Sequence, residues 1–266
     1  VREAIVTLAL GWAGCAAAGA LLWLRSLRLH DAGIVDVAWG LFCVGLTGWF
    51  RWRSPVAASG AQWLHLALVT VWGVRLSAHI AWRSRGRGED RRYAAMRARG
   101  GRRFASRSLF TVFLLQATLA CALSAPLFAV QWSSSVSIPL FGCGVALWAV
   151  GMFWETVGDW QLQRFRTDPA NRGRVLDSGL WRYSRHPNYF GEATLWWGFG
   201  AMAAAAGASW TLLAPALMTW LLLRVSGVTL LERTISPGRP EYGGYVRRTS
   251  AFLPWPPSAG AGRGLR

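Results

Sequence analysis

A chain of 266 residues that is 53% hydrophobic and 15% charged lies well below the roughly 25% charged content of an ordinary soluble domain. Apolar runs of about 20 residues, the length that crosses a bilayer, recur along it, which excludes a soluble globular module and predicts an all-α polytopic membrane protein. The net charge of +17 does not signal nucleic acid, because the Arg residues fall between the apolar runs and not on one soluble face.

In chain order the apolar pattern predicts seven transmembrane helices, over 4–24, 32–50, 62–82, 109–130, 136–160, 189–206 and 210–232. The first is expected to be a membrane helix and not a signal peptide, since it is long and no small-residue cleavage site followed by polar chain comes after it. Twenty-four of the 29 basic residues, all Arg, lie in the loops 25–31, 83–108 and 161–188 and in the tail after 232. By the positive-inside rule these are cytoplasmic, with the N-terminus outside and the C-terminus cytoplasmic. Trp49, Trp52, Trp63, Trp82, Trp132 and Trp210 fall near predicted helix ends, as an aromatic belt requires. The absence of Lys, with abundant Ala and Gly, points to a high-GC bacterial genome and so to a bacterial inner membrane. A single domain is expected over 1–254, followed by a disordered tail over 255–266. No internal repeat is evident, which disfavours a repeat-built transporter.

Cys15, Cys43, Cys121 and Cys143 lie inside apolar runs without CxxC spacing and read as buried free thiols. His30, His65, His79 and His186 show no HExxH spacing, so no metal site is expected. Gly142-Cys143-Gly144 opens like a dinucleotide fingerprint, but Leu147 stands where the third glycine belongs.

Polar residues interrupt the membrane segments. Asp36, Glu155, Asp159, Glu192 and Glu232, with Arg75, Arg224 and His79, lie within or at the ends of apolar runs, where each charge costs at least about 2.5 kcal/mol at the bilayer centre. A shared polar cavity explains so many; ion pairing between helices is the alternative. Glu155, Asp159, Gln163 and Arg166 fall on one helix face. Arg75 and His79 are four apart, with Trp72 one turn earlier; Asp36 and Trp39 are three apart. The most informative stretch is Gly179–Glu192, which places Arg182, Tyr183, Arg185, His186, Asn188 and Tyr189 before or at the start of a membrane helix, an anion-binding position. The loop over 83–107, with Arg85 and Arg87, is either a topology signal attracted to anionic lipid or a grip on ligand phosphates.

Gly179–Glu192, with Glu155-x3-Asp159-x6-Arg166 before it and Tyr242-x2-Tyr245 and Phe252-Leu253-Pro254 after it, resembles the C-terminal half of steroid 5-alpha-reductases, closest to bacterial relatives of unassigned substrate. Sterol C14-reductases share the Arg-His-Pro-Asn-Tyr element. Val35–Gly40 and Trp72–Leu76 also resemble the bacterial branch, so the resemblance covers about 31–254. It implies a seven-helix enzyme that binds NADPH in a cytoplasm-facing cavity, with the C-terminal half over about 136–254 binding the cofactor, and that reduces an activated C=C bond of a lipophilic substrate, a steroid or other lipid enone. Asp159, Arg166, Asn188, Glu192 and Arg224 match family cofactor contacts; Glu155 stands where steroid reductases hold an Asn, and Glu232 where they hold a Tyr. Asp36 falls near the family's substrate-side Glu, while the substrate-holding Tyr has no counterpart near Trp72, Arg75 and His79.

The resulting expectations are specific. Hydride transfer leaves negative charge on the enone oxygen, which needs a donor; Asp36, if protonated, or His79 would supply it. Asn188 and Glu192 would hold amide and ribose hydroxyls, Arg166, Arg182, Arg185 and the loop Arg residues the phosphates, and Arg185–Tyr189 would form one wall of the cavity. Snorkelling at the interface is the alternative for Arg182 and Arg185, and pairing with Arg75 the alternative for Asp36. The rival functions are an S-adenosylmethionine-dependent methyltransferase of the isoprenylcysteine or phospholipid type and a non-enzymatic lipid-binding scaffold.

Overall fold

The computed structural model describes residues 1–225, 228 and 241–258; Glu232 and most of the second half of the seventh predicted segment lie outside them. The described residues form helices and connecting turns, without a strand. Five helices are long and apolar enough to cross a membrane: Arg2–Leu29, Ile34–Arg53, Gly60–Ser84, Arg91–Leu123 and Ile138–Thr167. Ser209–Val225 is a shorter apolar helix. The chain divides into two compact units, Val1–Val136 and Ser137–Arg266.

In the first unit, α1 (Arg2–Leu29) carries Glu3 in its first turn and Arg28 in its last, as the helix dipole favours. It stops at His30, which adopts the left-handed conformation and donates its N–H to the Ser26 carbonyl. Thr7, Gly11, Cys15 and Gly19 form its buried line, while Ile5, Leu10 and Leu21 face outward, as on a lipid-facing helix. α2 (Ile34–Arg53) and α3 (Gly60–Ser84) cross backbone to backbone: a Cβ at Gly40 would lie 2.4 Å from the Gly73 carbonyl oxygen. The glycines in the two N-terminal sequence motifs thus make this crossing.

The structure departs from the single segment expected over 109–130. The helix begins earlier, as α4 (Arg91–Gly100), because the Asp90 carboxylate accepts the Arg92 N–H at 2.9 Å and caps it. It continues through a 3-10 turn, α5 (Phe104–Ser108), a π turn and α6 (Leu115–Leu123). It breaks at Ser124, where α7 (Ala125–Trp132) starts. Pro126 is the physical cause, since it has no N–H to continue the α6 ladder.

The second unit is built on α8 (Ile138–Thr167) and α9 (Pro187–Ala205), packed antiparallel. Gly144, Gly151 and Gly158 recur every seven residues on α8, and Gly191 and Gly198 are seven apart on α9. A Cβ at Gly151 would lie 2.4 Å from the Leu195 nitrogen, at Gly191 2.3 Å from the Glu155 nitrogen, and at Gly198 2.7 Å from the Trp148 nitrogen. Small residues at this spacing let two helices touch along their length. The other face of α9 packs on α10 (Leu213–Trp220) and the turn before it, where a Cβ at Gly200 would meet Leu212 and Pro215, each at 3.0 Å. α11 (Tyr242–Arg248) follows the undescribed stretch.

The four cysteines are free, but Cys143 is exposed and Cys121 partly so, against the expectation of buried thiols. Cys143 precedes Gly144 and points away from the line of glycines that α8 buries. The tail is ordered beyond Pro254: the Trp255 N–H donates to the Tyr183 carbonyl at 3.0 Å and the Ser258 N–H to that of Arg248 at 3.1 Å, while 259–266 lie outside the described residues.

Candidate functional site

The α8–α9 contact places the predicted polar residues of the second unit. Glu155, Asp159 and Gln163 form a buried face of α8, with Arg166 exposed near its end. At Gly158 a Cβ would come within 3.1 Å of the Asn188 nitrogen, so the absent side chain admits the start of α9. There the Asn188 carboxamide donates to Asp159 Oδ1 at 3.0 Å. Glu192 lies one turn further along α9, half-buried.

The stretch before α9 is strapped to α8. Gly179, in the left-handed conformation (φ 60°), lies against the Gln161 amide, whose oxygen accepts the Leu180 N–H at 2.9 Å; a Cβ at Gly179 would strike that amide. Trp181 donates its indole N–H to the Gly158 carbonyl at 3.1 Å. Pro187 then opens α9 in its first turn, where a missing N–H costs nothing.

The C-terminal segment clasps the other side. Arg185 is buried, and its Nη1 donates to the carbonyls of Val246 (3.0 Å) and Thr249 (2.7 Å), holding the end of α11. Tyr245 donates its hydroxyl to the Trp181 carbonyl at 2.5 Å, and Ser184 donates to the Phe252 carbonyl at 2.8 Å. Burial raises the Tyr245 pKa, so its hydroxyl keeps its proton and remains a donor. The rings of His186 and Tyr189 are stacked at 5.6 Å. Arg182 and Tyr183 are exposed, as is Arg224 in the π turn over 221–225.

In the first unit Asp36 occupies the opening turn of α2. Its Oδ2 accepts from Arg92 Nη2 at 2.8 Å and its Oδ1 from the Tyr93 hydroxyl at 2.7 Å. Arg92 also reaches Asp90, Nε to Oδ1 at 3.0 Å. Glu89 accepts from Arg97 and from the Ala32 N–H, tying the loop after α3 to the start of α2. Burial pushes the Glu89 carboxyl up, but these hydrogen bonds outweigh it and hold its pKa below the ordinary value. His79 lies on α3 near Trp82, with ring centroids 6.3 Å apart. Arg85 and Arg87 are exposed on the following turn.

The sequence pattern does not single out Tyr93, and it offers Arg92 only as one of the loop arginines suited to phosphates, because 83–107 reads as one undifferentiated basic loop. The glycine line on α8 was also missed, although its seven-residue spacing is visible in the sequence.

A family described as "Protein of unknown function (DUF1295)" matches residues 22–249. The chain belongs to this family. It is 38% identical over 85 residues to a Mus musculus protein named 3-oxo-5-alpha-steroid 4-dehydrogenase 1, covering 32% of this chain and 31% of the mouse protein. The Rattus norvegicus protein of the same name is 38% identical over 85 residues, covering 32% of this chain and 30% of the rat protein. An uncharacterized Schizosaccharomyces pombe protein is 36% identical over 98 residues, covering 34% of this chain and 27% of the yeast protein. The chain thus aligns with about a third of the length of the curated relatives it matches. No solved structure matches it significantly. The family and these relatives bear out the resemblance to steroid 5-alpha-reductases.

Proposed function

We propose that the chain is a multi-pass membrane oxidoreductase that uses NADPH to reduce an activated C=C bond in a lipophilic enone, a steroid or another lipid. The supporting observation is the Asp159–Asn188 pair, 3.0 Å apart beside the buried Glu155. Buried carboxylates and a carboxamide suit ribose hydroxyls and a nicotinamide amide, while the exposed Arg166 and Arg182 suit phosphates. The residues present therefore fit a phosphorylated dinucleotide. Arg185, with Nη1 on two backbone carbonyls, positions α11. In this reading the chain crosses the membrane seven times, with its N-terminus outside and the cofactor-binding residues on the cytoplasmic side.

Bound NADPH would supply the hydride that reduces the β-carbon of the enone. The chain must then stabilise negative charge on the carbonyl oxygen and deliver a proton. Both Asp36 oxygens accept hydrogen bonds in the structure, and Tyr93 carries the O–H of that pair. We assign the donor role to Tyr93, whose single O–H would turn from Asp36 Oδ1 to the enone oxygen, with Asp36 positioning the ring before that turn and Arg92 balancing the carboxylate; His79 is the alternative donor.

Thermal-shift titration of the purified chain with NADPH, NADH and S-adenosylmethionine tests the reading. Stabilisation by NADPH that is lost in Asn188→Ala supports it. Stabilisation by S-adenosylmethionine alone replaces it with the methyltransferase reading, and no response to any of the three favours the scaffold.

A further inference from the structure

The second unit holds an open cleft of about 450 Å³, lined by Arg174, Asp177, Glu241, Gly244, Arg247 and Arg248. None of these residues has a part in the proposed reduction. One wall is a tight turn: the Arg174 N–H donates to the Asn171 carbonyl at 3.1 Å, with Gly173 between them at φ 79°. A residue with a Cβ is strained there, so Gly173 is what lets the turn present Arg174.

The other wall is α11. Glu241, Gly244 and Arg248 share one helix face, adjacent to the face through which Tyr242 and Tyr245 are buried. Gly243 and Gly244 leave the backbone bare where the guanidinium groups converge. A Cβ at Gly243 would lie 3.7 Å from Arg247 Nη1, and one at Gly244 3.6 Å from Arg248 Nη1 and 4.0 Å from Arg247 Nη2. Tyr245 and Arg185 lock α11 against the 181–185 stretch, so these Arg residues are displayed from a fixed frame. Asp177 already engages Arg248, Oδ2 to Nη2 at 2.5 Å.

We propose that this cleft binds a phosphate monoester dianion through the Arg174 and Arg247 forks, with Asp177 limiting the affinity by competing for Arg248. A monoester with a second pKa near about 6 carries close to two charges at neutral pH, and guanidinium forks match its oxygens. Two sources share that chemistry: the 2′-phosphate of NADPH and a monoester lipid headgroup such as phosphatidate. The first deepens the reductase reading and rests on it, since an Arg at the 2′-phosphate is what separates NADP sites from NAD sites in nucleotide folds.

The test uses the full chain in phosphatidylcholine nanodiscs, titrated by calorimetry with 2′,5′-ADP, with NADH, which carries no phosphate monoester, and with a short-chain phosphatidate. The Arg174→Ala/Arg247→Ala double variant should weaken 2′,5′-ADP or phosphatidate by about ten-fold while NADH stays within about two-fold. Asp177→Asn should tighten the same ligand several-fold, because it frees Arg248 without adding charge. These positions are exposed or half-buried, and an unchanged melting temperature confirms that the variants fold. Dependence confined to 2′,5′-ADP identifies the cofactor as the source; dependence confined to phosphatidate identifies the lipid, and the cleft then stands whether or not the chain binds NADPH. If neither ligand distinguishes the double variant from wild type, the proposal is overturned, even where NADPH binding persists and the reductase reading survives.

Discussion

In the second unit Asp159 and Asn188 meet because two helices approach backbone to backbone, whereas in the first unit Asp36 is reached by the long side chains of Arg92 and Tyr93 from another helix. The first arrangement is set by missing atoms: Gly151 and Gly191 leave no room for a methyl group and Gly158 leaves a tight fit, so the polar pair inherits the precision of the packed backbone. The second is set by charge and hydrogen bonding from α4, which Asp90 and Glu89 hold in place. A polar group placed by backbone contact has one position, and one placed by a flexible side chain can change partners. In the proposed reduction that difference would suit a fixed cofactor grip and an adaptable donor.

The largest expected effect lies on the donor side. Tyr93→Phe should lower turnover by at least about 100-fold, as loss of a general acid does, and leave NADPH affinity within about two-fold. Asp36→Asn should do the same by misorienting Tyr93. Initial rates with a cofactor titration check both; a normal rate in Tyr93→Phe removes it from the mechanism and returns His79 to the role. Asn188→Ala should show the opposite pattern, weakening the cofactor more than the chemical step.

Backbone contact predicts a second contrast. Gly151→Ala places a methyl group 2.4 Å from the Leu195 nitrogen and should destabilise the chain by about 2 kcal/mol or more, as overpacking does. Gly142→Ala, about two and a half turns earlier on the same helix and with nothing within 4 Å of the added Cβ, should be neutral or stabilising by up to about 1 kcal/mol. Thermal unfolding in detergent separates them, and equal behaviour would remove the glycine line as the device that aligns Asp159 with Asn188. A smaller change is expected from Tyr245→Phe, which deletes the hydrogen bond to Trp181 and should cost about 1 kcal/mol.

The smallest effect is electrostatic. Glu89 has a depressed pKa in the fold, so it stabilises fully above the ordinary carboxylate value, and that contribution is lost as pH falls through its folded value. The melting-temperature difference between wild type and Glu89→Gln should therefore shrink from about pH 6 to about pH 3. A difference that is flat across this range would show that the loop is not held by the ionised carboxylate.

How much was legible follows from the kind of signal each feature leaves. Membrane segments are written in long apolar runs, and the predicted starts of α2, α3 and α8 agree with the structure to within two residues. The shared face of Glu155, Asp159 and Gln163 follows from helical period alone. For Arg185 the sequence points to phosphate but cannot show that its Nη1 also holds the end of a helix that lies 61 residues further along the chain. The partners of Asp36 are likewise more than 50 residues away in sequence, and no local pattern links them. The break at Ser124 was legible in Pro126 and was passed over because the surrounding run is apolar throughout.

The most direct test of the proposed reduction is isotope transfer. The full chain, in nanodiscs with NADPH carrying deuterium at the transferable position and a panel of lipophilic enones, is followed by mass spectrometry. The expected product carries one deuterium at the carbon β to the carbonyl, formed slowly by Tyr93→Phe and only at raised cofactor concentration by Asn188→Ala. An absence of deuterium transfer, with methyl transfer from S-adenosylmethionine to a lipid in its place, would contradict it.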